Sequence, residues 1–130
     1  MEHCSFDLIS TSPEETRSLG REIGGLIEPG DVILLTGDLG TGKTCLVQGM
    51  ARGVGYGGYA ASPSFVLMRE YPGRLTLYHA DLYRIENAGE AADLNFDECL
   101  SGGGALVVEW AEKALTAFPS EHLYITLDHL

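Results

Sequence analysis

The chain is 130 residues long and 45% hydrophobic, which suits one domain with a core of its own and leaves little room for a second. Nineteen Asp and Glu against 8 Lys and Arg give a formal net charge of −11. That balance argues against a direct grip on nucleic acid, which draws its affinity from a basic face displacing counterions. Disorder and coiled coil do not suit the composition, and no apolar run approaches the roughly 20 residues of a membrane span. Met1-Glu2-His3-Cys4 also lacks the basic start and apolar stretch of a secretory leader, so a cytoplasmic domain with no membrane attachment is expected. Cys4, Cys45 and Cys99 are widely spaced and odd in number, which reads as reduced packing residues.

In chain order, Ser12-Pro13-Glu14-Glu15 opens a helix, with Ser12 as N-cap and Glu15 placed to close a capping box. Leu19, Ile23, Leu26 and Ile27 form its expected apolar stripe, and Glu28-Pro29-Gly30 stops it. Val32 to Leu35 is an unbroken apolar run, as in a strand buried on both faces. A helix is expected from Lys43 to about Arg52. Ser64 to Tyr71 and Leu75 to His79 flank Pro72-Gly73-Arg74 as an antiparallel hairpin. Short helical pieces follow between Glu86 and Leu100. Ala105 to Val108 is a second buried strand ending at Glu109-Trp110, and Leu123 to Leu127 a last one. Strands alternating with helices predict an α/β layer architecture with a mixed, mainly parallel β-sheet flanked by helices.

Chemistry concentrates between the first strand and the second helix. Gly37-Asp38-Leu39-Gly40-Thr41-Gly42-Lys43-Thr44 satisfies G-x-x-x-x-G-K-[ST] in the context that motif requires. Glycines let backbone N–H groups wrap a phosphate, and the helix N-terminus adds partial positive charge. Lys43 suits the β- and γ-phosphates, and the Thr44 hydroxyl suits Mg²⁺. With 17 glycines and only two lysines in the chain, chance would supply roughly 0.004 such matches. Gly37 through Cys45 is therefore the expected cradle for ATP or ADP.

A phosphate loop needs a second anionic group for its metal. Glu109 stands at the C-terminal end of an apolar strand, where open α/β sheets bind ligands. Asp81, in His79-Ala80-Asp81-Leu82-Tyr83-Arg84, is either a group that orients the attacking water or a turn-capping residue. Lys43, Asp81 and Glu109 are the catalytic candidates, and Thr44 and Glu109 the metal candidates. Ser62-Pro63-Ser64 reads as a γ-phosphate sensor or a plain loop. Arg84 reads as a charge stabiliser or a surface ion pair, Trp110 as a base stack or core, and His79 as packing or hydrogen bonding. Neither Asn87 nor Asn95 precedes a lysine, so the guanine-reading Asn-Lys-x-Asp element is missing, which favours adenine.

The phosphate loop, Ser62-Pro63-Ser64-Phe65, His79-Ala80-Asp81-Leu82-Tyr83-Arg84 and Val108-Glu109-Trp110 together resemble the TsaE family, formerly YjeE. The resemblance implies a small P-loop ATPase, with a three-layer P-loop NTPase-like fold, in the bacterial machinery that makes the threonylcarbamoyladenosine modification of transfer RNA. It implies slow hydrolysis of ATP-Mg supporting turnover of a threonylcarbamoyltransferase complex with TsaD- and TsaB-type subunits, which would carry out the transfer and hold the RNA. It also places phosphates at Lys43, Mg²⁺ at Thr44 and Glu109, support for hydrolysis at Asp81, and adenine near Thr11 to Thr16. The chain departs from the family in Ser64 and Cys45, both usually threonine. The family usually continues past Leu130 into another strand, so one domain, 1–130, without that strand is expected. A nucleotide-dependent binding module with incidental hydrolysis, or a small-molecule kinase, are the alternative readings.

Overall fold

A computed structural model describes residues 7–37, 42–58, 60 and 68–128. The elements run α1 (Pro13–Leu26), β1 (Val32–Thr36), α2 (Lys43–Gly53), β2 (Met68–Pro72), β3 (Thr76–Asp81), α3 (Ala88–Ala92), α4 (Phe96–Ser101), β4 (Ala105–Glu109), a 3₁₀ segment (Ala111–Ala117) and β5 (Leu123–Thr126). The strands form one sheet in the order β2-β3-β4-β1-β5, with β2 antiparallel to β3 and every other pairing parallel. The expected mixed, mainly parallel sheet between helical layers is present. Of the first hairpin strand, 64–67 lies outside the described residues.

Side-chain alternation along β1 and β4 divides the core into two layers. Ile33, Leu35 and Val107 pack with Leu46, Val47 and Met50 of α2. Val32, Leu34, Leu106 and Val108 face the opposite way, towards Leu82, Phe96 and Ala111. The two central strands are buried along their whole length, which is why their sequences read as continuous apolar runs. Edge strand β5 is mostly exposed, and Thr36 Oγ1 to Thr126 Oγ1 at 3.3 Å helps tie it to β1.

Helix α1 begins as expected, with Ser12 Oγ accepting the Glu15 N–H at 3.1 Å. Glu15 reaches back one residue further than a capping box requires, accepting the Thr11 N–H at 2.7 Å. That bond holds the Glu15 carboxyl below its ordinary pKa. Of the expected apolar stripe, Ile27 is buried and Leu19 and Ile23 pack against the core, so the expectation fails only at Leu26. Leu26 is 80% exposed, and the buried residues of α1 are Gly20 and Gly24. They meet Gly49 and Gly53 of α2 backbone to backbone. A Cβ on Gly20 would lie 3.1 Å from the Gly49 Cα, and one on Gly53 only 2.7 Å from the Gly24 Cα. Close helix approach replaces side-chain interdigitation here, and apolar periodicity cannot reveal it because glycine carries no apolar weight. The turn between β2 and β3 locks onto the same pair, Arg74 donating its N–H to Val54 O and a guanidinium N–H to Gly24 O, both at 2.7 Å.

Candidate functional site

Strand β1 delivers Gly37 to the end of the sheet with φ +145°, and Gly42 caps α2 with φ +100°. L-residues rarely adopt the positive φ at Gly42, so glycine is needed there for its backbone rather than for space. Asp38, Leu39, Gly40 and Thr41, between these two glycines, lie outside the described residues. Lys43 opens α2 and is 5% exposed, an unusual place for an ammonium group. Its Nζ donates to the Gly37 carbonyl and sits 3.9 Å from the centroid of the Trp110 ring. Thr44 follows as an exposed residue and Cys45 as a half-buried one.

The carboxylates arrive from the neighbouring strands. β3 and β4 run parallel with Asp81 opposite Glu109, and Glu109 in turn pairs with Leu35 of β1. The register therefore sets two carboxylates side by side at the strand ends leading towards Lys43. Glu109 is 4% exposed and accepts from His79 Nε2 at 2.6 Å. Asp81 is half-buried and accepts the Tyr83 N–H at 2.9 Å. Trp110 has φ +59°, a conformation bulky residues seldom hold, and packs against Tyr83 with ring centroids 4.9 Å apart. It is both core-packed and in contact with the site lysine.

Burial raises the Asp81 pKa first, and the nearby Glu109 charge raises it further, while the Tyr83 N–H, His79 and Lys43 pull the other way. The fold thus binds the Asp81 proton more tightly than the unfolded chain does. Stability falls as pH rises from the ordinary aspartate range to the raised value, and levels off above it. Asp81→Asn is expected to remove this loss, gaining little over wild type in acid and a larger, constant amount near neutrality. Melting temperatures of both proteins from about pH 4 to pH 7 check it. A gain that does not change with pH would contradict the assignment.

The structure brings together Gly37, Gly42, Lys43, Asp81 and Glu109. Thr16 also borders the loop, since a Cβ on Gly42 would lie 3.7 Å from its Cγ2. Of the Thr11–Thr16 segment, Thr16 is the residue that flanks Gly42. Ser62-Pro63-Ser64 lies outside the described residues. Lys113 joins the neighbourhood through the Tyr83 carbonyl. Tyr71 is the participant that sequence reading missed. Its hydroxyl lies 2.9 Å from His79 Nδ1, joining β2 to the Glu109 carboxylate. Parity places His79 on the same face of β3 as Asp81, but nothing in the sequence joins Tyr71 of β2 to them.

Among the described residues, no three His, Cys, Asp or Glu side chains gather to hold a metal ion. The donor chemistry suits Mg²⁺ bound in the manner usual for nucleotide sites. One or two carboxylates and a hydroxyl contribute alongside phosphates and water, without an all-protein cage.

Residues 10–130 match the sequence model of a family described as threonylcarbamoyl adenosine biosynthesis protein TsaE. The chain belongs to the TsaE family. The TsaE of Treponema pallidum is 40% identical over 119 residues, covering 92% of this chain and 88% of that protein. The TsaE of Bacillus subtilis is 41% identical over 119 residues, covering 91% and 74%. The crystal structure of Bacillus subtilis YdiB superposes with a TM-score of 0.79 at 36% identity, over 93% of this chain and 74% of that one. The family resemblance carried by the glycine-lysine loop, the His79–Arg84 stretch and Val108-Glu109-Trp110 is borne out, and so is the fold class. TsaE proteins are named for biosynthesis of threonylcarbamoyladenosine in transfer RNA, and in this TsaE chain none of the described helices is long and apolar enough to cross a membrane.

Proposed function

We propose that this chain is a P-loop ATPase serving the synthesis of threonylcarbamoyladenosine in transfer RNA. In this reading it works in the cytoplasm and binds ATP with Mg²⁺. Slow hydrolysis to ADP supports repeated turnover of a transferase complex with TsaD- and TsaB-type subunits. The observation that carries the reading is the convergence of a buried lysine at a helix N-terminus with two strand-end carboxylates set opposite one another. That arrangement has the parts a phosphate–metal site requires.

Lys43 would contact the phosphates, exchanging the Gly37 carbonyl for phosphate oxygens. Thr44 and Glu109 would hold Mg²⁺, which when bound offsets phosphate charge. Asp81, half-buried beside Glu109, would orient the attacking water and accept its proton, a role its raised proton affinity favours. The acidic chain leaves RNA binding to the partner subunits, because its net charge of −11 opposes a second polyanion.

The test is a reconstituted transfer-RNA modification assay with Glu109→Gln and Asp81→Asn. Both substitutions preserve shape and remove a charge. Each is expected to abolish multiple-turnover modification and reduce ATP hydrolysis by roughly 10²-fold or more, while docking to the partner complex persists. Undiminished modification by both variants would reduce the chain to a nucleotide-dependent binding module. Rapid consumption of ATP that depends only on a small-molecule acceptor would make it a kinase.

A further inference from the structure

We infer that His79 is a positioning residue for Glu109, and that Tyr71 in turn fixes the His79 ring. This deepens the proposed nucleotide site and rests on that reading. The three side chains form one buried chain of hydrogen bonds crossing three strands. Tyr71 on β2 is 2% exposed, His79 on β3 is 1% exposed, and Glu109 lies on β4 at the site itself.

An ionised carboxylate only accepts, so His79 Nε2–H donates to Glu109 Oε2 at 2.6 Å. With the proton on Nε2, Nδ1 of the neutral ring is an acceptor, and the Tyr71 hydroxyl donates to it at 2.9 Å. The Tyr71 ring is itself held, with the Tyr56 ring tilted against it at 5.0 Å between centroids. One tautomer and one ring orientation follow.

A buried polar chain is not the cheapest way to join these strands. Leu77 and Val107, on the same face of the sheet, show that apolar side chains pack there without any desolvation cost. What the polar chain supplies is direction. Oε2 is committed to the imidazole, and Oε1 has no hydrogen-bond partner among the described residues. Glu109 therefore presents one defined oxygen to a hydrated cation, instead of a rotating pair that must be ordered on binding. Outer partners of this kind typically change metal affinity or activity by roughly 10–100-fold when removed.

The experiment is calorimetric titration of the whole chain with ATP, at a series of Mg²⁺ concentrations and in EDTA. His79→Leu is expected to raise the Mg²⁺ concentration needed for tight ATP binding by about 10-fold or more, leaving affinity in EDTA unchanged. Tyr71→Phe, which removes a single hydroxyl, is expected to shift it several-fold in the same direction. His79→Gln, with an amide able to donate towards Oε2, should recover part of the loss. Imidazole ¹⁵N spectra should show the Nε2–H tautomer in the wild type, and in Tyr71→Phe the same tautomer with the Nδ1 resonance shifted by loss of its donor.

A purely structural chain would lower the melting temperature of these variants while leaving the Mg²⁺ requirement untouched, and that result overturns the inference. Should His79→Leu fail to fold, Tyr71→Phe and the tautomer spectra decide alone. If Glu109→Gln itself leaves the Mg²⁺ requirement unchanged, the nucleotide-site reading has failed first, and the inference falls with it.

Discussion

Lys43→Ala is expected to bind ATP too weakly for calorimetry to detect, while still folding. The ammonium group is buried at the start of α2, where among the described residues it meets the Gly37 carbonyl and the face of Trp110. Neither of these partners carries a countercharge; Asp81 is a carboxylate within electrostatic reach, and the triphosphate is the further anion this cation would meet on binding. Truncating one member of a buried, hydrogen-bonded charge pair costs about 2–5 kcal/mol, which corresponds to roughly 30- to 4000-fold in affinity. The chain contains only one other lysine, Lys113, and its Nζ is engaged by the Tyr83 carbonyl. No spare ammonium stands ready to replace the lost one. Arginine at position 43 should fare little better, because a planar guanidinium does not fit the volume of a compact ammonium. Circular dichroism would establish that the alanine variant is folded. ATP affinity equal to that of the wild type would remove Lys43 from the site.

The second large effect concerns stability rather than binding. Gly49→Ala is expected to cost about 3 kcal/mol and to lower the melting temperature by roughly 10 °C. A Cβ at Gly49 would strike the carbonyl group of Arg17, with the carbonyl carbon and the Arg21 nitrogen each 2.9 Å away. These are backbone atoms in the middle of α1, so relief requires α1 and α2 to separate. Because α2 carries Lys43 at its first turn, separation would also displace the site. Gly25→Ala on α1 is the control. A Cβ there meets nothing within 4 Å, and alanine should stabilise the helix by about 0.5–1 kcal/mol. Thermal unfolding of both variants decides the matter. Equal melting temperatures for Gly49→Ala and wild type would mean that the helices are not held in backbone contact.

Much of the architecture was legible because it rests on local rules. Val32 to Leu35 and Ala105 to Val108 could only be strands buried on both faces, since each side of the sheet had to meet apolar neighbours. Ser12 and Pro13 announced the start of α1, and Pro72-Gly73-Arg74 announced the hairpin turn. The loop ending in Gly42-Lys43-Thr44 was legible as a candidate phosphate site through residue type and spacing, because backbone amides and one lysine are the groups that phosphate capture uses. Glu109 and Asp81 were found as strand-end carboxylates, but only the parallel register of β3 and β4 sets them opposite each other. No local pattern specifies which strands become neighbours.

Three features depended wholly on tertiary packing. Gly20, Gly24, Gly49 and Gly53 carry no apolar signal, yet their missing side chains determine how closely α1 lies on α2. Leu26 fits a helical stripe and still points to solvent, because the glycine face won the contact. Tyr71 and His79 read as ordinary strand residues until β2, β3 and β4 lie side by side. The amino-acid order alone thus determined the elements and the motif on which the proposed phosphate site rests, both governed by interactions within a few residues. The pairing of the carboxylates, the close contact of the helices and the hydrogen-bonded path to Glu109 were left to the fold. Each depends on groups distant in the chain, whose distance and orientation are set only when the whole core closes.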